Sequence, residues 1–267
     1  MSKVVLITGG SSGIGKAIGE FLKTKEYVVY GTSRHPEAYP SSEFPILKLD
    51  ASDITTINET IDYIIKKEQR IDVLINNAGV GITGPIEEIT ESEIKNNFET
   101  NFFGPINIIK AVLPYMRKKQ CGLIINVTSI AAYMGLPFRG VYSCSKGALK
   151  LLTEAFRMEL KPFNIKMTSI APGDFSTNIA SRRYHAPVLE NSPYKNTYNN
   201  TLKLMDAHVD SGSHPDIIAH MVFKIMNTPN PKVHYKAGKF LQKFSIMLKS
   251  ILPSKLYEKI LLNHYNI

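Results

Sequence analysis

The sequence predicts an α/β fold, a doubly wound parallel sheet covered by helices on both faces. Two observations carry that expectation. Short, nearly continuous β-branched runs alternate with longer stretches of helical periodicity through the first half of the chain. A glycine-rich turn separates the first run from the first helix, the place where such sheets bind ligands beyond the carboxyl ends of their strands.

The elements follow in order. "VVLIT" (4–8) reads as a buried strand, and a helix runs from about Gly13 to Lys23. "YVVYGTS" (27–33) and "PILKLD" (45–50) are the second and third strands, and a helix near 54–68 leads to "IDVLINN" (71–77). A long helical stretch covers 91–118, followed by "GLIINVTS" (122–129), a helix from about Tyr142 to Leu160, and "IKMTSIAP" (165–172). From Ser181 to Ser213 the pattern weakens into Asn, Tyr, Pro and Ser, and 181–213 is expected to be a loop or lid over a substrate. The whole chain, 1–267, is expected to be a single domain, with a basic amphipathic C-terminal helical extension over 232–267.

Composition narrows the function classes. A chain of 267 residues can bury a sizeable core, and its 43% hydrophobic and 21% charged content is that of a soluble globular protein. The first strand begins by residue 3, which leaves no room for a signal peptide, and no apolar run approaches the roughly 18 residues of a membrane span. The expected address is the cytoplasm. Cys121 and Cys144 are too few for a disulfide framework or a metal cluster and read as reduced packing residues, so no metal is expected. The net charge of +9 is uneven, because seven lysines and one acid, Glu258, lie between Lys232 and the end. No nucleic-acid reading motif accompanies that charge, and no nucleic-acid partner is expected.

Two motifs carry chemistry. In "TGGSSGIG" (8–15), Gly9, Gly13 and Gly15 allow a tight turn and close approach of backbone to ligand. The helix that follows presents N–H groups and a positive dipole end to a pyrophosphate, as in a Rossmann-type site. The spacing is Gly-x-x-x-Gly-x-Gly. In "YSCSK" (142–146), Tyr142 and Lys146 lie on one helical face, and a neighbouring ammonium favours ionisation of a phenol.

With "NNAG" (76–79), Asn101, Ser129 and "PGDFST" (172–177), these motifs occur in an order and spacing that resembles the short-chain dehydrogenase/reductase family over roughly residues 3–180. The resemblance implies a catalytic set. Tyr142 would give a proton to a carbonyl oxygen, while Lys146 would lower the tyrosine pKa and bond the nicotinamide ribose. Ser129, thirteen residues before Tyr142, would orient the carbonyl, and Asn101 would support a water relay to the lysine. It further implies cofactor contacts from Gly9, Ser11, Ser12, Gly13, Ile14 and Gly15 in the first turn. Asp50 and Ala51 would lie beside the adenine, and Asn77, Ala78 and Gly79 beside the adenosine ribose. Tyr142, Lys146, Pro172, Gly173 and Thr177 would lie around the nicotinamide.

NAD-specific members of that family carry an acid at the end of the second strand. Here Ser33 and Arg34 stand there, so no carboxylate opposes a 2′-phosphate and a guanidinium fork is available to bind one. The cofactor expected is NADP(H).

The tail says something about the substrate. In "KAGKFLQKFSIMLKSIL" (236–252), Phe240, Leu241, Phe244, Met247, Leu248 and Ile251 form one apolar helical stripe flanked by Lys236, Lys239 and Lys243. Such a helix suits either an anionic membrane surface or its own domain. The tail also resembles extensions in family members acting on steroids, retinoids and long-chain keto-lipids, which implies a small lipophilic ketone or aldehyde reduced to its alcohol. A homodimer or homotetramer is expected. Oxidation of an alcohol with NADP, or a catalytically silent dinucleotide-binding regulator, are the alternative readings.

Overall fold

The structure is a computed structural model and describes residues 2–176, 183–210 and 212–267. The sheet begins with β1 (Val4–Ile7), β2 (Val28–Ser33), β3 (Ile46–Lys48) and β4 (Val73–Asn76). After a two-residue strand β5 (Ile82–Thr83) come β6 (Gly122–Val127), β7 (Ile165–Pro172), a short β8 (Tyr184–His185) and β9 (His234–Ala237). Among the described residues, seven strands form one parallel sheet in the order β3-β2-β1-β4-β6-β7-β9. The order reverses between β1 and β4, which opens a crevice there.

Every residue of β1 and β4 is buried, the physical reason their sequences lack alternation: both faces of the sheet are covered. On one face α2 (Ile54–Glu68) and α4 (Gly104–Lys119) bury Ile57, Ile61, Ile64, Ile108 and Val112. On the other, α1 (Gly13–Lys23) and α7 (Asp216–Met226) bury Ile18, Leu22, Ile218, Val222 and Ile225. Helix α2 starts where the Asp53 side chain accepts the Thr55 N–H at 2.9 Å. Helix α5 (Gly140–Glu159) starts two residues earlier than the sequence reading.

Three expectations are corrected. The helical stretch at 91–118 is interrupted: α3 (Glu91–Phe98) passes through a π-helical turn (Glu99–Phe103) before α4. The stretch at 181–213 is not a plain loop, for it contains β8 and α6 (Lys195–Asp210). Tyr198 of α6 is buried and donates to the Thr83 carbonyl at 3.1 Å, which fastens this region to β5. The tail helix is shorter than 236–252, because Lys236 belongs to β9, the seventh strand of the sheet, and α8 spans Phe240–Ile251. Pro253 then separates α8 from α9 (Ser254–Tyr265), as its ring and missing N–H require.

The apolar stripe of the tail also divides. Phe244 and Leu248 are half-buried, whereas Phe240, Leu241, Met247 and Ile251 remain exposed. The residue of α8 that is buried is Ile246, which packs with Tyr257 of α9 against Ile130 and Met134. Cys121 and Cys144 are free and exposed rather than packed inside.

Candidate active site

A cleft of about 840 Å³ crosses the carboxyl ends of β1, β2, β4, β6 and β7. At one end lies the glycine turn. Gly9 turns with φ of +65°, a conformation that L side chains rarely adopt. A side chain on Gly15 would strike the Gly9 carbonyl oxygen at 2.3 Å, so this glycine serves close packing of helix against turn. Gly15 therefore does not line the cleft, while Gly9, Ser11, Ser12, Gly13 and Ile14 do. Helix α1 begins with no side-chain cap hydrogen bond from Ser12, and its amino terminus borders the cleft.

The Asn77 side chain fastens this turn, donating to the carbonyls of Thr8 at 3.0 Å and Gly9 at 3.1 Å. The Thr8 hydroxyl in turn accepts the N–H groups of Asn77 and Ala78, both at 3.0 Å. Asn77, Ala78 and Gly79 all line the cleft, as do Asp50 and Ala51 beyond β3. Ser33 and Arg34 stand at the end of β2 on the same wall, with Arg34 exposed. The arrangement fits a dinucleotide: a helix amino terminus at the cleft, a glycine turn, and a guanidinium beside the second strand.

In the middle of the cleft Ser129, Tyr142 and Lys146 share one wall with Pro172 and Gly173. Ser129 follows β6, and its hydroxyl oxygen accepts the Ala131 N–H at 3.1 Å, which leaves the hydroxyl proton available to donate. Tyr142 and Lys146 lie one turn apart on α5, both buried. Burial pulls the Lys146 ammonium down to about 8, and its Nζ donates to the Val127 carbonyl at 3.1 Å. Thr177 lies outside the described residues.

Asn101 is fully buried and does not line the cleft wall. It sits within the π-helical turn, where its side chain accepts the Val80 N–H and donates to the Val80 carbonyl, both at 2.9 Å. Its amide also reaches the Ser145 hydroxyl at 3.2 Å, and Ser145 donates to Asn97 at 2.9 Å. A point 3.0 Å from Lys146 Nζ and 3.1 Å from Asn101 Oδ1 lies where a side chain on Gly79 would begin. A side chain at 79 would thus crowd both polar groups, which glycine leaves free to approach the backbone closely.

Several lining residues were not among the site residues expected from the sequence. Met134 and Leu136 from the β6–α5 connection, and Phe244, Leu248, Ile260 and Leu261 from α8 and α9, make the far end of the cleft apolar. Arg139 also lines the cleft, as does Arg183, whose side chain lies against Gly81. The Gln242 amide of α8 donates to Asp174 Oδ2, and a side chain on Gly173 would meet Gln242 Oε1. The tail therefore rests directly on the turn after β7. Stripe periodicity pointed to an apolar side of α8, but no local pattern could have found Arg183, which reaches the cleft by long-range packing on Gly81.

Comparisons with known proteins agree with this geometry. Residues 3–187 match the family model for short chain dehydrogenases. The 3-ketodihydrosphingosine reductase of Bacteroides thetaiotaomicron is 38% identical over 266 residues, covering 99% of this chain and 98% of that protein. Among solved structures, a short-chain dehydrogenase from Streptomyces avermitilis superposes with a TM-score of 0.82 at 30% identity, covering 97% of this chain and 98% of that one. ElxO with NADP bound gives a TM-score of 0.70 at 27% identity, covering 88% and 97%. The chain belongs to the short-chain dehydrogenase family, a family of oxidoreductase enzymes. Most of the apolar end of the cleft comes from α8 and α9, beyond the matched residues.

Proposed function

We propose that this protein reduces a long-chain, lipophilic ketone to its alcohol at the expense of NADPH. One observation carries the reading: a single cleft runs from the glycine turn and Arg34, past Ser129, Tyr142 and Lys146, to an apolar end walled by α8 and α9. A bound reduced nicotinamide would supply the hydride. Tyr142 gives its phenolic proton to the carbonyl oxygen as charge develops there, and the Ser129 hydroxyl donates a second hydrogen bond to the same oxygen. Lys146, close to its own titration range, holds the ribose and passes a proton toward Tyr142. Asn101 lies on the same side of Gly79 as Lys146, the placement a water relay between them would use.

Selectivity for NADPH is supported by Arg34 at the end of β2 and by the NADP found with ElxO. A keto-lipid substrate is supported by the name of the Bacteroides relative and by the apolar far end of the cleft. β8 and α6, within the 181–213 region, together with the tail, serve as the substrate-side cover. Exposed Phe103, Leu151 and Met158 support a homo-oligomer in which a second copy covers them.

The test is NADPH consumption by purified protein over a panel of ketones of increasing chain length, with 3-ketodihydrosphingosine included. We expect turnover to rise with chain length. Tight NADPH binding with no reduction of any carbonyl would favour a silent regulator, and preferred turnover of short polar ketones would refute the lipid assignment.

A further inference from the structure

The hairpin of α8 and α9 has two unlike sides. Inward, Ile246, Tyr257 and Tyr265 are buried, and Leu248 and Leu261 help wall the cleft. Outward, Phe240 and Leu241 are 72% and 75% exposed, and Ile251 is 68% exposed. Met247, Leu256, Ile260, Leu262 and Ile267 are exposed as well. So many large apolar side chains on two short helices form a surface that a monomeric soluble protein rarely leaves bare.

The charge around this surface is one-sided. Lys239, Lys243, Lys249, Lys255 and Lys259 belong to the same stretch, against the single acid Glu258. No helix of the described residues is long and apolar enough to cross a bilayer. Apolar side chains beside lysines on a helix too short to span suit a helix lying in the plane of a lipid interface. The surface is also continuous with the cleft, since Leu241 and Ile260 are exposed and at the same time line it.

We infer that the outer face of α8 and α9 docks on the surface of an anionic phospholipid bilayer, with the mouth of the cleft held at that interface. Lys243, Lys255 and Lys259 meet the lipid phosphates, and Phe240, Ile251 and Leu262 enter the headgroup boundary. A ketone dissolved in the bilayer then reaches Tyr142 without crossing water; this last step rests on the reduction proposed above, whereas the docking does not.

The experiment is flotation of the purified full-length chain, without NADPH or substrate. Vesicles of phosphatidylcholine alone are compared with vesicles of phosphatidylcholine and phosphatidylglycerol. We expect binding to the anionic vesicles that is lost in high salt. Replacing Lys243, Lys255 and Lys259 together by Gln should weaken it roughly a hundredfold, about fivefold for each lysine. Replacing Phe240 and Ile251 together by Ser should weaken binding at every salt concentration. Light scattering on the same variants checks a second role for the face. Absence of salt-sensitive binding by wild-type protein overturns the inference, as does a Phe240/Ile251 variant that loses oligomeric state in place of vesicle binding, since a second copy then covers the face. Because the readout contains no cofactor, a protein that binds vesicles and reduces nothing would sink only the function proposed above.

Discussion

The guanidinium of Arg139 lies over the ring of Tyr142, 5.4 Å from its centroid, and Tyr265 of α9 lines the same cleft within reach of its charge. The tail thus lies beside the group that stacks on the candidate proton donor. A cation over an aromatic face contributes about 0.5–2 kcal/mol, so Arg139→Leu should lower kcat roughly threefold to thirtyfold by loosening the ring. The KM for NADPH should stay near wild type, and Arg139→Lys should recover part of the loss. Steady-state kinetics on the three proteins decide it; an unchanged kcat in Arg139→Leu would remove Arg139 from any positioning role.

Tyr142→Phe removes only the phenolic hydroxyl, and with it the proton to be donated. Turnover should fall to a few per cent of wild type or less, with NADPH affinity nearly intact by fluorescence titration. Substantial residual activity would mean that another group supplies the proton.

Lys146 is a buried ammonium whose pKa falls to about 8 from its usual 10.5 because burial disfavours the charge. The unfolded chain therefore binds more protons than the folded one between about pH 8 and 10.5, and stability should rise across that window. Below it the penalty is fully present. Lys146→Met should accordingly stabilise the cofactor-free protein at pH 7 by about 1–3 kcal/mol while abolishing activity, with the gain vanishing toward the top of the window. Urea melts at neutral and alkaline pH measure this; a variant less stable than wild type at both would contradict it.

Arg34→Ala should weaken NADPH binding roughly tenfold to a hundredfold, the scale of a lost charge-assisted hydrogen bond, and leave NADH nearly unaffected. Isothermal titration with both cofactors is the check. Equal use of the two by wild-type protein would refute the assignment of Arg34.

The sheet was legible in the sequence because burial on both faces writes each strand as an unbroken apolar run, as in "VVLI" and "VLIN". The glycine turn and the Tyr142–Lys146 pair were legible because their chemistry depends on short fixed spacing. The π-helical turn was not, since one extra residue in a helix leaves the hydrophobic pattern nearly intact on either side. Nor was the division of the tail stripe. Periodicity gave one apolar face over 236–252, but β9 takes Lys236 into the sheet, and Phe240, Leu241, Met247 and Ile251 stay exposed while Ile246 is buried. Which residues of an amphipathic helix meet their own domain is decided by docking, and Arg183 reaches the cleft for the same non-local reason.

The five residues Glu99–Phe103 act as a phase shifter between two helical segments. Each helical residue advances the direction of side chains by about 100°. Deleting one residue here would restore a regular helix and satisfy local propensity, yet α3 and α4 could no longer both face the core. Either Ile108, Ile109, Val112 and Met116 would rotate out of their cluster, or Asn101 would leave Val80 and Ser145. Insertion of one residue elsewhere in α4 would meet the same conflict. The turn is therefore a length-encoded element: beyond the identity of Asn101, its residue count matters, and a shortened version designed for helix regularity should fold less stably than the irregular original.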